Sequence, residues 1–278
     1  MKLTNKYKLP KTLVAAIQND TYDPGEKSDI SCTTLIGPTM IRHLKRKHGG
    51  EIVEDASGRI WSLFGQISHA IIERAGVEDE VNEKRLYMAV NGWVISGQFD
   101  TLCLENNILV DYKTTSIWAL KGDPKPEWEA QLNVLAELCR QNDIQVDGLQ
   151  IIGIARDHRR TESLRYKDYP SVPIKTVDIP LWTTAEAQTY IHSRVVLHQA
   201  EPVCCTPDER WHRPDKYAVM KKGRKSAVRL LDSEEQAEAY VKDKNVKGGY
   251  VEKREGENIR CDGYCSVREF CPCVKPWK

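Results

Sequence analysis

The sequence of 278 residues lacks any apolar run close to the roughly 20 residues that a membrane-spanning helix requires. Its basic start contains only the apolar stretch LVAAI, at residues 13–17, which is too short for a secretory signal peptide. It also lacks a strong charge of either sign, because 41 basic residues face 40 acidic ones. Composition therefore gives no global argument for nucleic-acid binding, and we expect a cytoplasmic protein with no membrane partner.

What the sequence does contain is typical of a soluble globular protein, with 40% hydrophobic and 29% charged residues. The positive charge is also clustered. One cluster contains Lys45 and Arg46, and another contains Arg159 and Arg160. Such patches can follow a phosphate backbone, so these four residues are candidate DNA contacts. The alternative is that each patch is simply solvated surface.

The periodicity of apolar residues predicts an α/β fold with a mixed central sheet and flanking helices. Apolar residues at helical spacing predict a helix capped by Ser57 and ended by Gly76, and Asn91-Gly92 predicts a tight hairpin. After an irregular lead-in over residues 1–36, with strand-like and loop pieces, the core order is helix, three strands, helix, strand. The remaining predicted elements are strands 85–90, 93–104 and 108–114, helix 127–141, strands 149–155 and 173–179, and helix 184–199.

Two domains are predicted. Residues 1–203 form the main α/β domain, and residues 204–278 form a small α+β unit. In the small unit, two strands precede a helix capped by Ser233, and a third strand follows, which gives the order ββαβ.

Two carboxylates and a lysine converge on the predicted second hairpin. If Asn106-Asn107 is a two-residue turn, the register places Asp100 opposite Lys113. Asp111 lies two positions from Lys113 and therefore shares its face. Charged groups on a buried sheet face are costly unless they are paired or bind a metal.

These residue types suit metal-dependent phosphodiester hydrolysis. Carboxylates are hard oxygen ligands for Mg²⁺ or Mn²⁺, and such an ion can polarise a phosphodiester and activate water. A partly buried lysine can stabilise charge in the transition state. Spacing alone leaves open an ordinary salt-bridged pair on a sheet.

Four motifs carry a family resemblance. GQFD at 97–100 and DYK at 111–113 resemble motifs II and III of the PD-(D/E)XK nuclease superfamily. GQISH at 65–69 resembles the G-x-x-x-H motif of its RecB-like branch, and EAQLNVL at 129–135 resembles the branch's Q-x-x-x-Y motif. The order of elements resembles the αβββαβ restriction-endonuclease-like core, and the surrounding sequence resembles phage- or prophage-encoded nucleases.

The resemblance implies a role for each candidate residue. The metal ligands would be His69, Asp100, Asp111 and the backbone carbonyl of Tyr112. Lys113 would be the catalytic lysine, supported by Gln131. The tyrosine of the last motif is replaced by Leu135, so no hydroxyl group is available at that position.

The resemblance further implies a DNA exonuclease that acts in phage recombination or repair beside a single-strand annealing protein, in the bacterial host cytoplasm. One alternative is a nucleic-acid-binding accessory protein that keeps the fold without useful cleavage. Another is a metal-binding hydrolase outside nucleic-acid metabolism. Exo- or endonuclease action, polarity, strand preference and oligomeric state stay open.

Nine cysteines, an odd number in an apparently cytosolic chain, favour a metal site or buried thiols over disulfides. Cys261, Cys265 and Cys271 form a C-x3-C-x5-C pattern that needs a fourth ligand for zinc or an iron–sulfur cluster. Resemblance to RecB-like nucleases implies a [4Fe-4S] cluster, with Zn²⁺ or no metal as alternatives. The candidate fourth ligands, in order of preference, are Cys205, Cys32 and Cys204.

Overall fold

The computed structural model describes residues 2–19 and 27–274. The chain divides into two compact units, the first formed by residues 1–42 with 49–202 and the second by residues 43–48 with 203–278. No helix of the described ranges is both long and apolar enough to cross a membrane.

The elements of the chain are numbered in sequence order. Up to residue 199 they are β1 (Lys2–Thr4), α1 (Lys11–Gln18), β2 (Ile30–Ser31), α2 (Cys32–Leu35), α3 (Thr39–His48), β3 (Val53–Asp55), α4 (Ile60–Glu73), β4 (Glu80–Val90), β5 (Trp93–Cys103), β6 (Ile108–Thr115), α5 (Pro126–Arg140), β7 (Gly148–Ala155), α6 (Arg160–Arg165), β8 (Ile174–Ile179) and α7 (Thr184–Gln199). Beyond it they are β9 (His212–Arg213), β10 (Lys216–Lys221), β11 (Arg229–Leu231), α8 (Glu234–Asp243), β12 (Gly249–Arg254), β13 (Glu257–Asn258) and α9 (Ile259–Gly263).

The first unit contains a six-stranded mixed sheet. Its strands run in the order β2-β5-β6-β7-β8, and β4 pairs with β5. Neighbouring strands are antiparallel except for β2 with β5 and β6 with β7, which are parallel. The predicted fold class, a mixed central sheet with flanking helices, is confirmed, and α4, β4–β6, α5 and β7 follow the predicted αβββαβ order.

The predicted register of the second hairpin is wrong by two residues. Cys103 pairs with Ile108, so four residues connect the strands and the ladder places Asp100 level with Asp111 rather than with Lys113. The ladder between β5 and β6 covers only Thr101–Cys103, and β5 pairs with β2 farther back at Ile95. Asp100 therefore lies at a fork, where β5 leaves β6.

Helix α5 forms the centre of the core. Pro126 begins it at a position where a missing backbone N–H costs nothing, and acidic residues follow in its first turn. Leu132, Leu135 and Leu138 are buried against the sheet. Gly97 of β5 allows this close approach, because a Cβ atom there would lie 2.5 Å from the Leu138 side chain.

Two predictions about the first 76 residues need correction. The lead-in contains two helices, α1 and α2, that were not predicted, in addition to two short strands where strand-like pieces were expected. Its residues 20–26 lie outside the described ranges. Asp55, not Ser57, supplies the capping oxygen before α4. It accepts a hydrogen bond from Ser57 N at 3.1 Å, and a 3-10 turn, Ala56–Arg59, precedes the α-helix.

The second unit contains a three-stranded antiparallel sheet in the order β11-β10-β12, with α8 packed against it. Ser233 caps α8 by accepting a hydrogen bond from Gln236 N. These elements have the predicted ββαβ order. The short strands β9 and β13 pair with each other and were not predicted.

Candidate active site and cysteine cluster

Three side chains from three elements converge at the fork between β5 and β6. His69 of α4 places Nδ1 3.4 Å from Asp100 Oδ1 and 3.6 Å from Glu83 Oε1. Possible ligand atoms of these three residues all lie within 4.8 Å of one another. An imidazole and two carboxylates at this spacing form a donor set suited to one divalent cation.

Glu83 is a member of this group that the sequence analysis missed. Its neighbours Asn82 and Lys84 pair with Thr101 and Phe99, so Glu83 lies level with Asp100. The Asn91-Gly92 turn predicts this register, but the predicted strand began only at residue 85. Glu83 also has a left-handed φ of 50°, which an ordinary side chain adopts at a cost of about 1–2 kcal/mol.

Asp111, Lys113 and Gln131 form a hydrogen-bonded triangle beside these ligands. Lys113 Nζ donates to Asp111 Oδ1 at 2.9 Å and to Gln131 Oε1 at 3.2 Å. Gln131 Nε2 donates to the same Asp111 oxygen at 3.0 Å, which closes the triangle. Leu135, in the tyrosine position of the last motif, is buried in the core.

Asp111 is 3% exposed and is the most deeply buried carboxylate of the site. Its Oδ2 lies 2.7 Å from Lys113 Nζ but has no hydrogen bond with acceptable geometry to any described residue. A buried carboxylate oxygen without a hydrogen bond is costly, and a cation would satisfy it. The Lys113 ammonium already offsets part of this charge, so the donor set of His69, Glu83 and Asp100 is the observation that best fits the site to a metal.

The charges of the site shift the pKa of several groups. The carboxylates of Asp100 and Glu83 raise the pKa of His69 to about 10. Burial raises the pKa of Asp111 to about 6, although the Lys113 ammonium opposes the shift. Burial alone would lower the pKa of Lys113, but the nearby acidic groups, Asp111 first among them, outweigh the effect of burial and the pKa rises. In the absence of an ion, the imidazole and the amine are therefore both charged at neutral pH.

Tyr112 helps to hold the fork together. Its backbone N–H donates to Asp100 Oδ2 at 2.7 Å, which leaves Oδ1 directed towards His69. The role predicted for the Tyr112 carbonyl, as a metal ligand, stays a prediction. The four predicted DNA contacts are all exposed: Lys45 and Arg46 on α3, and Arg159 and Arg160 where α6 begins.

Four of the cysteines in the second unit lie near enough for their charges to affect one another's pKa. Burial raises the pKa of Cys205 to about 11, and Glu209, Cys271, Cys261 and Cys265 add to the shift in that order. Burial also raises the pKa of Cys261, again with contributions from Cys265 and Cys271. These are the trio and the preferred fourth candidate from the sequence. In the described ranges, no three of these thiols lie within 4.8 Å of one another.

The expectation that disulfides are absent is wrong for one pair. Cys204 and Cys273 are bonded, with Cα atoms 5.9 Å apart. The expectation depended on the compartment, whereas the fold brings the two ends of the second unit together. The bond removes Cys204 as a candidate fourth ligand. Cys32 lies in the first unit, where it is buried and donates to the Gln131 carbonyl at 3.6 Å.

No model of a known protein family matches the chain, and no curated protein matches it in sequence. Among solved structures, SSO0001 is 17% identical over 72% of this chain and 88% of that one, with a TM-score of 0.49. An alkaline exonuclease (LHK-Exo) from Laribacter hongkongensis is 14% identical over 61% of this chain and 87% of that one, with a TM-score of 0.37. The same enzyme in complex with dAMP is 15% identical, with a TM-score of 0.38. At these values the similarities assign neither an activity nor a site to this chain.

Proposed function

We propose that the chain is a metal-dependent DNA nuclease that hydrolyses phosphodiester bonds as an exonuclease. One observation carries the proposal. A three-residue donor set of His69, Glu83 and Asp100 lies beside a buried Asp111 that is paired with Lys113. Acidic oxygens and an imidazole beside a charged amine suit the hydrolysis of an anionic ester.

The residues that would hold Mg²⁺ or Mn²⁺ are His69, Glu83, Asp100, Asp111 and the carbonyl of Tyr112. When bound, the ion supplies polarisation of the phosphodiester and a lower pKa for a bound water. His69 must give up a proton to bind it, and the neighbouring carboxylates provide the negative charge that favours this exchange.

Lys113 is the proposed partner of the scissile phosphate. Its ammonium group is charged, and Asp111 and Gln131 fix its direction through hydrogen bonds. A charge held in place before the reaction stabilises developing negative charge without reorganising at that moment. Gln131 bridges Asp111 and Lys113, so it is a positioning residue.

Finer assignments stay proposals. The RecB-like branch, a role in phage recombination or repair and a single-strand annealing partner all depend on the motifs quoted above. Lys45, Arg46, Arg159 and Arg160 are proposed to contact the DNA backbone, which their exposure permits.

A cleavage assay tests the proposal. Purified protein is incubated with Mn²⁺ and end-labelled single- or double-stranded DNA, with covalently closed circles as a probe for endonuclease action. The rate of DNA cleavage by Lys113→Ala should be at least about a hundredfold lower than that of the wild type. The matched control is Lys84→Ala, which removes an exposed lysine from the neighbouring strand β4 and should leave the rate unchanged. Equal activity of Lys113→Ala would refute the assignment, and cutting of closed circles would refute exonuclease action.

We also propose that Cys205, Cys261, Cys265 and Cys271 hold a [4Fe-4S] cluster. The proximity of the four thiols supports this. Their spacing favours a cluster over Zn²⁺, because the four ligands of a single tetrahedral ion must crowd around one centre, whereas each cysteine of a cubane binds a different iron.

Iron and acid-labile sulfide analysis of anaerobically purified protein tests the cluster. Both should be present in the wild type and lost in Cys265→Ser. Cys103→Ser, which changes a cysteine of β5, should retain them. Zinc in place of iron, or no metal at all, would overturn the assignment.

A further inference from the structure

Helix α4 carries an apolar face that the fold leaves in solvent. None of its residues is buried. The exposed fractions are 59% for Trp61, 42% for Phe64, 47% for Ile67 and 54% for Ile71. Contiguous apolar surface of this kind marks a binding site more often than single scattered residues do. The helix is also the one that carries His69.

Cations cover the exposed tryptophan rings. The Arg156 guanidinium lies 4.3 Å from the centre of the Trp61 ring, and Phe64 packs edge-on against the same ring. Trp118, which is 78% exposed, has Lys121 Nζ 5.1 Å from its ring centre. Each exposed indole is thus paired with a positive charge.

These residues lie on or next to the elements that carry the candidate active site. Trp61 precedes His69 by eight residues, which is about 12 Å along a helix. Arg156 N donates to the carbonyl of Thr115 at 2.9 Å, two residues beyond Lys113 on β6. Trp118 follows three residues later. A strand stacked at about 3.4 Å per nucleotide would cover the distance from Trp61 to His69 in three or four nucleotides.

We propose that Trp61, Phe64, Trp118, Arg156 and Lys121 form a strip that binds an unpaired single-stranded DNA segment leading to the active site. The rings would stack on bases and the cations would neutralise phosphates, which is how proteins bind single strands without sequence preference. A second copy of the chain fits less well, since it would strip water from Arg156 and Lys121 against an apolar surface. The inference rests on the proposed nuclease function.

Binding of a labelled oligothymidine, measured by fluorescence anisotropy in EDTA and in a Lys113→Ala background, tests the strip without requiring cleavage. Trp61→Leu and Trp118→Leu, which keep apolar bulk but remove the ring, should each weaken binding about tenfold. Trp61→Phe should recover most of the affinity. Tyr87→Leu, which removes an exposed aromatic ring of β4 outside this face, is the matched control and should bind as the wild type does.

Three binding results would overturn the proposed strip: unchanged binding by Trp61→Leu and Trp118→Leu, an equal loss of binding in Tyr87→Leu, or an equal loss on blunt duplex DNA. A dimer in sedimentation experiments that Trp61→Leu dissociates would also overturn it, in favour of self-association. Ring-dependent binding without any cleavage would leave the strip standing and remove the nuclease assignment. Cleavage by a protein whose DNA binding does not depend on the rings would remove the strip and leave the nuclease assignment standing.

Discussion

Glu83 is the part of the site that only the structure shows, and Glu83→Gln tests it directly. The substitution keeps the size of the side chain but removes a negative charge 3.6 Å from His69 Nδ1. At that distance the interaction is worth about 1 kcal/mol in water and about 5 kcal/mol at an effective dielectric constant near 20. Because the His69 and Glu83 side chains are 33% and 20% exposed, water screens the pair, and we expect their interaction energy to be about 1–2 kcal/mol.

This magnitude predicts that the pKa of His69 falls by roughly one unit from its value of about 10 in metal-free protein. A lower pKa eases metal binding slightly, but loss of a ligand dominates, so Mn²⁺ affinity should fall at least about tenfold. NMR titration of the imidazole and calorimetry of Mn²⁺ binding measure the two effects. Glu73→Gln, which removes an exposed carboxylate one helical turn after His69, is the control. The reasoning is refuted if both variants titrate alike.

A proton on His69 competes with the ion, so Mn²⁺ affinity should rise with pH on the order of tenfold per pH unit. Calorimetry in two buffers should detect release of about one proton on binding, and pH-independent binding would contradict this. Gly97→Ala should lower the free energy of unfolding by about 1–3 kcal/mol, because the new methyl group meets buried leucines of α5, whereas Gly58→Ala meets nothing within 4 Å and should cost much less. Cys204→Ser opens a loop that the bond to Cys273 closes, so it should destabilise the second unit by up to about 4 kcal/mol in urea denaturation, an effect that reductant should reproduce.

The second hairpin shows why a partly wrong prediction still grouped the right residues. The predicted register was wrong by two positions, yet side chains alternate with a period of two along a strand. An error of two residues therefore keeps every side chain on its face, and Asp100 still shares a face with Asp111 and Lys113. The turn type could not be predicted because Asn106-Asn107 is compatible with more than one loop length. An error of one residue would have separated the group.

The fork itself could not be predicted from the sequence. Local patterns predict strands and turns, but the point where β5 leaves β6 depends on β2, a two-residue strand that pairs with β5 from more than sixty residues away. The disulfide was missed for a similar reason, since its partners are 69 residues apart in sequence. Short elements and distant pairings carry little local signal, because tertiary contacts rather than propensity stabilise them.

Helix α4 and the sheet beside it reverse the usual division between core and surface. Sequence periodicity predicted the helix from the apolar residues that the fold then exposes, because a helical repeat indicates a shared face and does not say what covers it. On the neighbouring strands the fold buries Asp111 and most of Lys113, where apolar residues normally lie. Each reversal costs folding free energy, and the proposed occupants, a cation in one case and single-stranded DNA in the other, would offset that cost. Local rules that fail together, within one helix and the strands it packs on, indicate a region shaped by function rather than by stability.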